Sequence, residues 1–146
     1  MAVQFDETDA SRLRVALGRI ARQLDRHVTG DGMTRTQLTV LGTIAKRTQL
    51  GMSELAEIEG INPTMLSRIV GKLEDSGYVT RTPDAGDRRV VRVEITASGS
   101  KAHARTRKIR TQLLAEQLHG LPDEQVRALL EALPALEALA AAGSAR

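Results

Sequence analysis

A row of small polar and cationic side chains is the part of this sequence whose residue types and spacing suit chemistry. It lies in the stretch NPTMLSRIVGKLEDSG, which begins at Asn62. The row consists of Thr64, Met65, Ser67, Arg68 and Lys72. Hydroxyl and guanidinium groups form hydrogen bonds with base edges, and an ammonium group pairs with phosphate. These side chains therefore favour binding of a polyanion over catalysis of a covalent reaction.

A second cationic group follows in YVTRTPDAGDRRVVRVEITASG. The β-forming runs Tyr78 to Thr82 and Val90 to Ile95 predict the two strands of a hairpin. Between them, Pro83 to Asp87 has the composition of a tight turn. Arg88 and Arg89 lie at the base of that turn, so the hairpin should present guanidinium groups at its tip.

The turn residues predict a specific arrangement of charge. A guanidinium group is attracted by the negative potential of a narrow minor groove of DNA. We therefore predict that Arg88 and Arg89 hold DNA, with at least one of them in the minor groove. Asp87 would repel phosphate if it pointed outward. Its predicted role is to orient one of these arginines by a charge-assisted hydrogen bond. The alternative is an ordinary surface turn with an incidental ion pair.

The first row requires a helix to position it. Leu66, Ile69, Val70 and Leu73 recur at i, i+3, i+4 and i+7, which predicts a helix with this face in the core. Asn62 is a good N-cap, Pro63 suits the first helical position, and Gly77 suits the helix end. Met65 has two open interpretations, a wedge against a base or a packing contact with the preceding helix.

Further helices are predicted on both sides. Apolar spacing indicates one from Asp9 to Val28, and Thr34 with Gln37 forms a capping box for a second. Ser53 is expected to cap a short helix that Gly60 ends, so that two helices cross at a short turn. Beyond the hairpin, a helix capped by Thr96 should run to about His119. Another follows Pro122, and Pro134 is expected to kink or end it.

Composition narrows the function classes. The chain has 146 residues, no cysteine and 1% aromatic residues, so one domain with an aliphatic core is expected, without disulfides or a thiol switch. Residues 62 to 110 hold 11 Lys and Arg against 5 Asp and Glu, a net charge of +6, whereas the remainder carries −3. This asymmetry favours a polyanionic partner over a solvated surface.

Other chemistry finds little support. No apolar run has the length of a membrane span, so a soluble cytoplasmic protein without a membrane partner is expected. His27, His103 and His119 lack the spacing of metal ligands, and no nucleophile elbow, phosphate loop or dinucleotide fingerprint occurs. The sequence predicts neither an enzyme nor a protein with a cofactor or metal.

The chain resembles the MarR family of winged helix-turn-helix transcriptional regulators. The resemblance rests on TRTQLTVLGTIAKR, on SELAEIEGINPTMLSRIVGKLEDSGYV and on GDRRVVRVEITASG, and it is strong over residues 34 to 99. It implies a mainly α fold with a small β-hairpin, in a single domain over 1–146. The DNA-binding lobe is expected at 34–96, and a helical dimerisation region at 9–30 and 97–140.

The functional expectation is a sequence-specific DNA-binding regulator. A homodimer should bind double-stranded DNA at a pseudo-palindromic operator, since the terminal helices carry apolar stripes that a small lobe cannot cover. The resemblance implies a repressor released by a small aromatic or phenolic acid, although no motif locates a ligand pocket. A sequence-indifferent architectural DNA binder and a winged-helix module that binds protein remain the alternatives.

Overall fold

The computed structural model describes residues 3–26, 28 and 31–143. Helices dominate this part of the chain, and a small antiparallel sheet lies among them. The elements are α1 (Glu7–Arg26), α2 (Arg35–Ala45), β1 (Leu50–Gly51), α3 (Met52–Glu59), α4 (Pro63–Asp75), β2 (Val79–Pro83), β3 (Val91–Ile95), α5 (Ala97–His119) and α6 (Asp123–Gly143). The predicted fold class, mainly α with a small β-hairpin in a winged helix-turn-helix, is confirmed.

The sheet has one strand more than the predicted hairpin. Strand order is β1-β3-β2, with β3 paired to both neighbours in antiparallel fashion. In the hairpin Val79 pairs with Ile95 and Pro83 with Val91, and we call residues 79–95 the wing. On the other side Leu50 pairs with Val93. The wing is thereby joined to the segment between α2 and α3.

An aliphatic core holds α2, α3 and α4 against the sheet. Its largest fully buried side chains include Leu41, Ile44, Leu50, Leu55, Leu66 and Leu73. Burial of such a side chain contributes roughly 1.5–3 kcal/mol, and the branched aliphatic side chains take the place of aromatic ones. The core thus fixes α4 by the face that the heptad-like spacing predicted.

Local signals place most of the helix ends. The Thr34 and Gln37 side chains form the predicted capping box at the start of α2. Asn62 caps α4 with Pro63 in its first turn, and Gly60 and Gly77 adopt left-handed backbone angles, with φ of 61° and 78°. The prediction that Ser53 caps α3 was wrong. Helix α3 begins at Met52 directly after β1, with Gly51 at the N-cap, because the pairing of β1 with β3 sets the preceding backbone.

The contacts divide the chain into two compact units, one up to Arg110 and one from Thr111. The first contains α1 to β3 and the beginning of α5, and the second contains the rest of α5 and α6. Helix α6 continues through Pro134 to Gly143. Pro134 therefore does not end this helix, and the alternative expectation, a kink at Pro134, stays a prediction. The dimerisation range 9–30 includes His27, Thr29 and Gly30, which lie outside the described residues.

Candidate nucleic-acid interface

Helix α4 presents the first row of side chains opposite the core. Leu66, Val70 and Leu73 are buried, and they turn the other side of the helix outward. All five side chains of the row are exposed: Thr64, Met65, Ser67, Arg68 and Lys72. Met65 is 58% exposed, which disfavours the packing interpretation. A row of donors therefore lies on one accessible helix face.

A groove of about 670 Å³ borders this face. Thr34 and Thr36 at the start of α2 line one side, and Thr64, Arg68 and Lys72 of α4 line the other. Sequence reasoning had placed Thr34 only as a cap and had not singled out Thr36. Their proximity to α4 depends on packing between α2 and α4, which no local pattern encodes.

The wing turn is organised by Asp84, which the sequence interpretation did not single out. One carboxylate oxygen, Oδ2, accepts hydrogen bonds from the backbone N–H groups of Gly86 and Asp87, both at 3.1 Å. The other, Oδ1, accepts from Nε of Arg92 at 2.9 Å. The bond from Arg92, followed by those from the two backbone groups, lowers the pKa of Asp84 below its usual value. Asp84 thereby holds the turn in one shape and occupies Arg92.

The two arginines at the wing tip point into solvent. Asp87 Oδ1 accepts from the backbone N–H of Arg89 at 3.0 Å and from its Nε at 3.3 Å. The Arg89 side chain is nevertheless 93% exposed, and its terminal nitrogens remain available. Arg88 is exposed as well. The geometry has the form that an orienting role for Asp87 requires.

A fourth arginine of the wing is held against α4. Arg81 donates from Nη2 to Glu74 Oε1 at 3.1 Å and from its backbone N–H to Glu74 Oε2 at 2.9 Å. The backbone bond and then the side-chain bonds of Arg81 lower the pKa of Glu74. This contact ties β2 to the recognition face, so the wing and α4 present their side chains together.

Comparisons with known proteins match this arrangement. The MarR family profile matches residues 33–91. An HTH-type transcriptional regulator of Mycobacterium bovis, Mb0904, is 33% identical over 112 residues, which are 77% of this chain and 78% of that protein. The chain belongs to the MarR family. As a member it is a helix-turn-helix transcriptional regulator and not an enzyme.

One further protein sequence and one solved structure are also similar to this MarR-family chain. The HTH-type transcriptional repressor MdtR of Bacillus subtilis is 27% identical over 114 residues, covering 78% of this chain and 74% of that protein. The crystal structure of apo MarR from E. coli superposes with a TM-score of 0.77 at 20% identity, covering 92% of this chain and 98% of that one. This structural likeness shows the fold.

Two kinds of feature are absent from the described part of this MarR-family chain. None of the helices there has the length and hydropathy needed to span a bilayer. Residues 3–26, 28 and 31–143 also contain no cluster of three His, Asp or Glu side chains arranged to hold a metal. His27, one of the three histidines considered from the sequence, lies outside the described residues.

A second cleft of this MarR-family chain, of about 650 Å³, lies between α2 and the beginning of α5. Lys46, His103, Arg107 and Arg110 line it together with apolar and threonine side chains. Nε of Arg110 is buried without an acceptor among the described residues, although its Nη2 donates to Asp25 Oδ1 at 2.8 Å. The cleft is therefore cationic.

The histidine of this cleft should make stability depend on pH. Burial, followed by the charges of Arg107, Lys46 and Arg110, lowers the pKa of His103 below 6.5. The unfolded chain then binds a proton at His103 at a higher pH than the native chain, so native stability falls as pH falls below about 6.5. Melting temperatures at pH 8 to 5.5 should fall more for the wild type than for His103→Gln. Parallel curves would contradict this.

Proposed function

We propose that this MarR-family regulator is a sequence-specific DNA-binding repressor that acts in the cytoplasm as a homodimer. One observation carries the proposal: the exposed donors of α4 and the exposed wing arginines belong to one lobe whose elements are fixed to each other. The repressor assignment is supported by MdtR, which is described as a transcriptional repressor. DNA is the polyanion that such a surface recognises best.

In this proposal α4 of each subunit enters a major groove. Thr64, Met65, Ser67 and Arg68 lie in the first two turns and would reach base edges, whereas Lys72, further along, would meet phosphate. Arg88 and Arg89 of the wing would hold the DNA beside it, with at least one in the minor groove. Two subunits would read half-sites about 10 bp apart on a pseudo-palindromic operator.

The terminal helices supply the reason for a dimer. Neither α1 nor α6 has a single buried residue within its own described range. On α1 the exposed apolar residues include Leu13 and Leu17, and on α6 they include Leu130 and Leu133. Exposed leucines at helical spacing are typical of a surface that a second subunit covers.

A titration at fixed salt tests the proposal. Duplexes enriched from a random pool by the purified protein are compared with random duplex, while light scattering follows the mass of the free protein. We expect a dimer and a preference for the enriched site of about 10³-fold or more. Equal affinity for both duplexes would favour the architectural alternative, and no DNA binding would favour the protein-interaction module.

Arg68→Ala should relax the sequence preference. If the guanidinium binds one base in a bidentate manner, its loss costs about 1–3 kcal/mol at the preferred base pair and much less at the others. Lys72→Ala is the matched control, because it removes the same charge one turn later on the same helix face. We expect this control to weaken all sequences similarly. A uniform loss in Arg68→Ala would reassign Arg68 to a phosphate.

We propose further that a small aromatic or phenolic acid releases the repressor by binding in the cationic cleft between α2 and α5. The cleft volume of about 650 Å³ is sufficient for such a ligand. Lys46 and Arg107 line this cleft and offer positive charge to a carboxylate. An acid there would also raise the pKa of His103, which burial and then the neighbouring cations lower.

A matched pair of probes tests this binding. A hydroxybenzoate should raise the melting temperature and lower affinity for the enriched duplex, since it binds the state that does not bind DNA. The corresponding uncharged amide has the same shape and should have little effect. Lys46→Gln should weaken the response to the acid. Equal responses to acid and amide, or none to either, would count against an acid effector in this cleft.

A further inference from the structure

Arg81 lies in a wing strand, but its side chain extends along α4. Its guanidinium is fixed by Glu74, with Nε at 3.2 Å and Nη2 at 3.1 Å from Oε1. The second carboxylate oxygen of Glu74 is occupied by the backbone N–H of Arg81 at 2.9 Å. Three donors on one carboxylate hold this guanidinium more firmly than a surface ion pair usually does.

The remaining nitrogen of the guanidinium, Nη1, contacts Ser67, which is one of the residues proposed to contact base edges. Nη1 of Arg81 donates to Ser67 Oγ at 3.4 Å. Ser67 and Glu74 are two turns apart on one face of α4, and Gly71 lies between them. A Cβ at Gly71 would stand 3.7 Å from Nη2 of Arg81, so the guanidinium lies directly over this glycine. Arg81 therefore connects the two residues across the recognition face.

The direction of this hydrogen bond has a chemical consequence. Arginine has only donors, so Ser67 Oγ must be the acceptor. A serine hydroxyl that accepts from Arg81 keeps its own proton for a different partner. Because Ser67 is exposed on the face that would enter the groove, that proton is available to an acceptor on DNA.

We propose that Arg81 sets Ser67 as a hydrogen-bond donor and thereby disfavours cytosine at one operator position. An outward donor selects the major-groove acceptors, which are guanine N7 and O6, adenine N7 and thymine O4, and it disfavours the amino group of cytosine. Arg81 acts through Ser67 as a positioning residue. The inference rests on the proposed function, in which α4 reads base edges.

The groove strengthens this arrangement when DNA excludes water. Hydrogen bonds in series polarise one another, and their strength rises at lower local dielectric. A single net hydrogen bond corresponds to about a 3- to 10-fold change in affinity. We therefore expect a preference of that size to depend on both Ser67 and Arg81 at the same base pair.

The experiment measures affinity for a panel of enriched duplexes in which each base pair is replaced in turn. The proteins are the wild type, Ser67→Ala, Arg81→Ala and the double variant. Each single variant should lose about 3- to 10-fold of preference at the same position, and the double variant should lose no more. Arg81→Lys serves if Arg81→Ala does not fold, since an ammonium at this position pairs with Glu74 but lacks the second arm that reaches Ser67.

Arg105→Ala is the matched control, because it removes an arginine that is paired with Asp31 at 3.3 Å and lies in α5, outside both α4 and the wing. It should keep the base preference of the wild type. The inference is overturned if Arg81→Ala retains that preference, or if it weakens all duplexes equally with a smaller salt slope, as a phosphate contact would. If the wild type itself shows no base preference at any position, the proposed function is overturned. If the wild type has a preference that Arg81→Ala keeps, only the role of Arg81 is overturned.

Discussion

Replacement of both Arg88 and Arg89 by alanine is expected to lower the slope of log affinity against log salt by about 4. Each arginine that neutralises a phosphate adds about 0.9 to the slope, and a dimer loses each arginine twice. Either single replacement should lower the slope by about 2. Equilibrium titrations of the enriched duplex at several salt concentrations measure these slopes.

The geometry of the wing explains why the effect should be large. Arg89 is 93% exposed, yet its backbone and Nε are both held by Asp87. Asp84 fixes the turn from inside through Gly86 and Arg92. The guanidinium groups are thus presented in a limited set of positions before DNA arrives, which lowers the entropy lost on binding. The strand pair is also thin enough to approach a minor groove.

A charge-matched control separates contact from net charge. Arg12 and Arg14 of α1 are exposed and lie outside the wing and α4, so their double replacement removes the same formal charge. We expect that variant to change the slope much less. A wing variant that folds, dimerises and keeps the parental affinity and slope would show that the wing makes no contribution to DNA binding.

The helices could be predicted because their ends depend on residues that are close in sequence. The Thr34 and Gln37 box and the Asn62 cap use bonds between residues two or three apart, so a short window of sequence contains both partners. Gly60 and Gly77 could be read in the same way, because a left-handed residue at a helix end favours glycine. The exposed face of α4 followed from the spacing of its buried residues.

Long-range pairing accounts for what the sequence did not reveal. Strand β1 has two residues and exists through its pairing with β3, some 40 residues later, so its local signal is too short to detect. The Ser53 cap failed for the same reason. The bond from Arg81 to Ser67 spans 14 residues, and it depends on the angle between the wing and α4. Thr36 likewise reaches the groove only through the packing of α2 against α4.

Such packing also explains the glycine that ends the GDRRVVRVEITASG stretch. Gly99 stands in the first turn of α5, where its N–H donates to Thr96 Oγ1 at 3.0 Å. Thr96 in turn donates from its backbone N–H to Tyr78 O at 3.0 Å and from Oγ1 to Gly77 O at 2.6 Å. The beginning of α5 is thereby drawn onto the backbone between α4 and β2.

Gly99→Ala is expected to destabilise the protein by about 3 kcal/mol, because overpacking and disrupted capping bonds add together. An added Cβ would stand 2.0 Å from Tyr78 O and 2.8 Å from Ile95 Cγ1. The first of these atoms is backbone, so relief requires α5 to move away from the 77–78 segment. For a chain of this size the melting temperature should fall by roughly 10 °C.

Gly18→Ala is the matched control, since it makes the same substitution inside a helix where the nearest atom is the mobile end of Arg22 at 3.3 Å. Alanine lowers the entropy of the unfolded chain and favours helix, so this variant should be stabilised by up to about 1 kcal/mol. The two alanines thus differ in the sign of their effect, and the difference comes from the backbone at Tyr78. The melting temperatures of both variants and of the wild type test this prediction. If Gly99→Ala had the same melting temperature as Gly18→Ala, α5 would not begin against the 77–78 backbone.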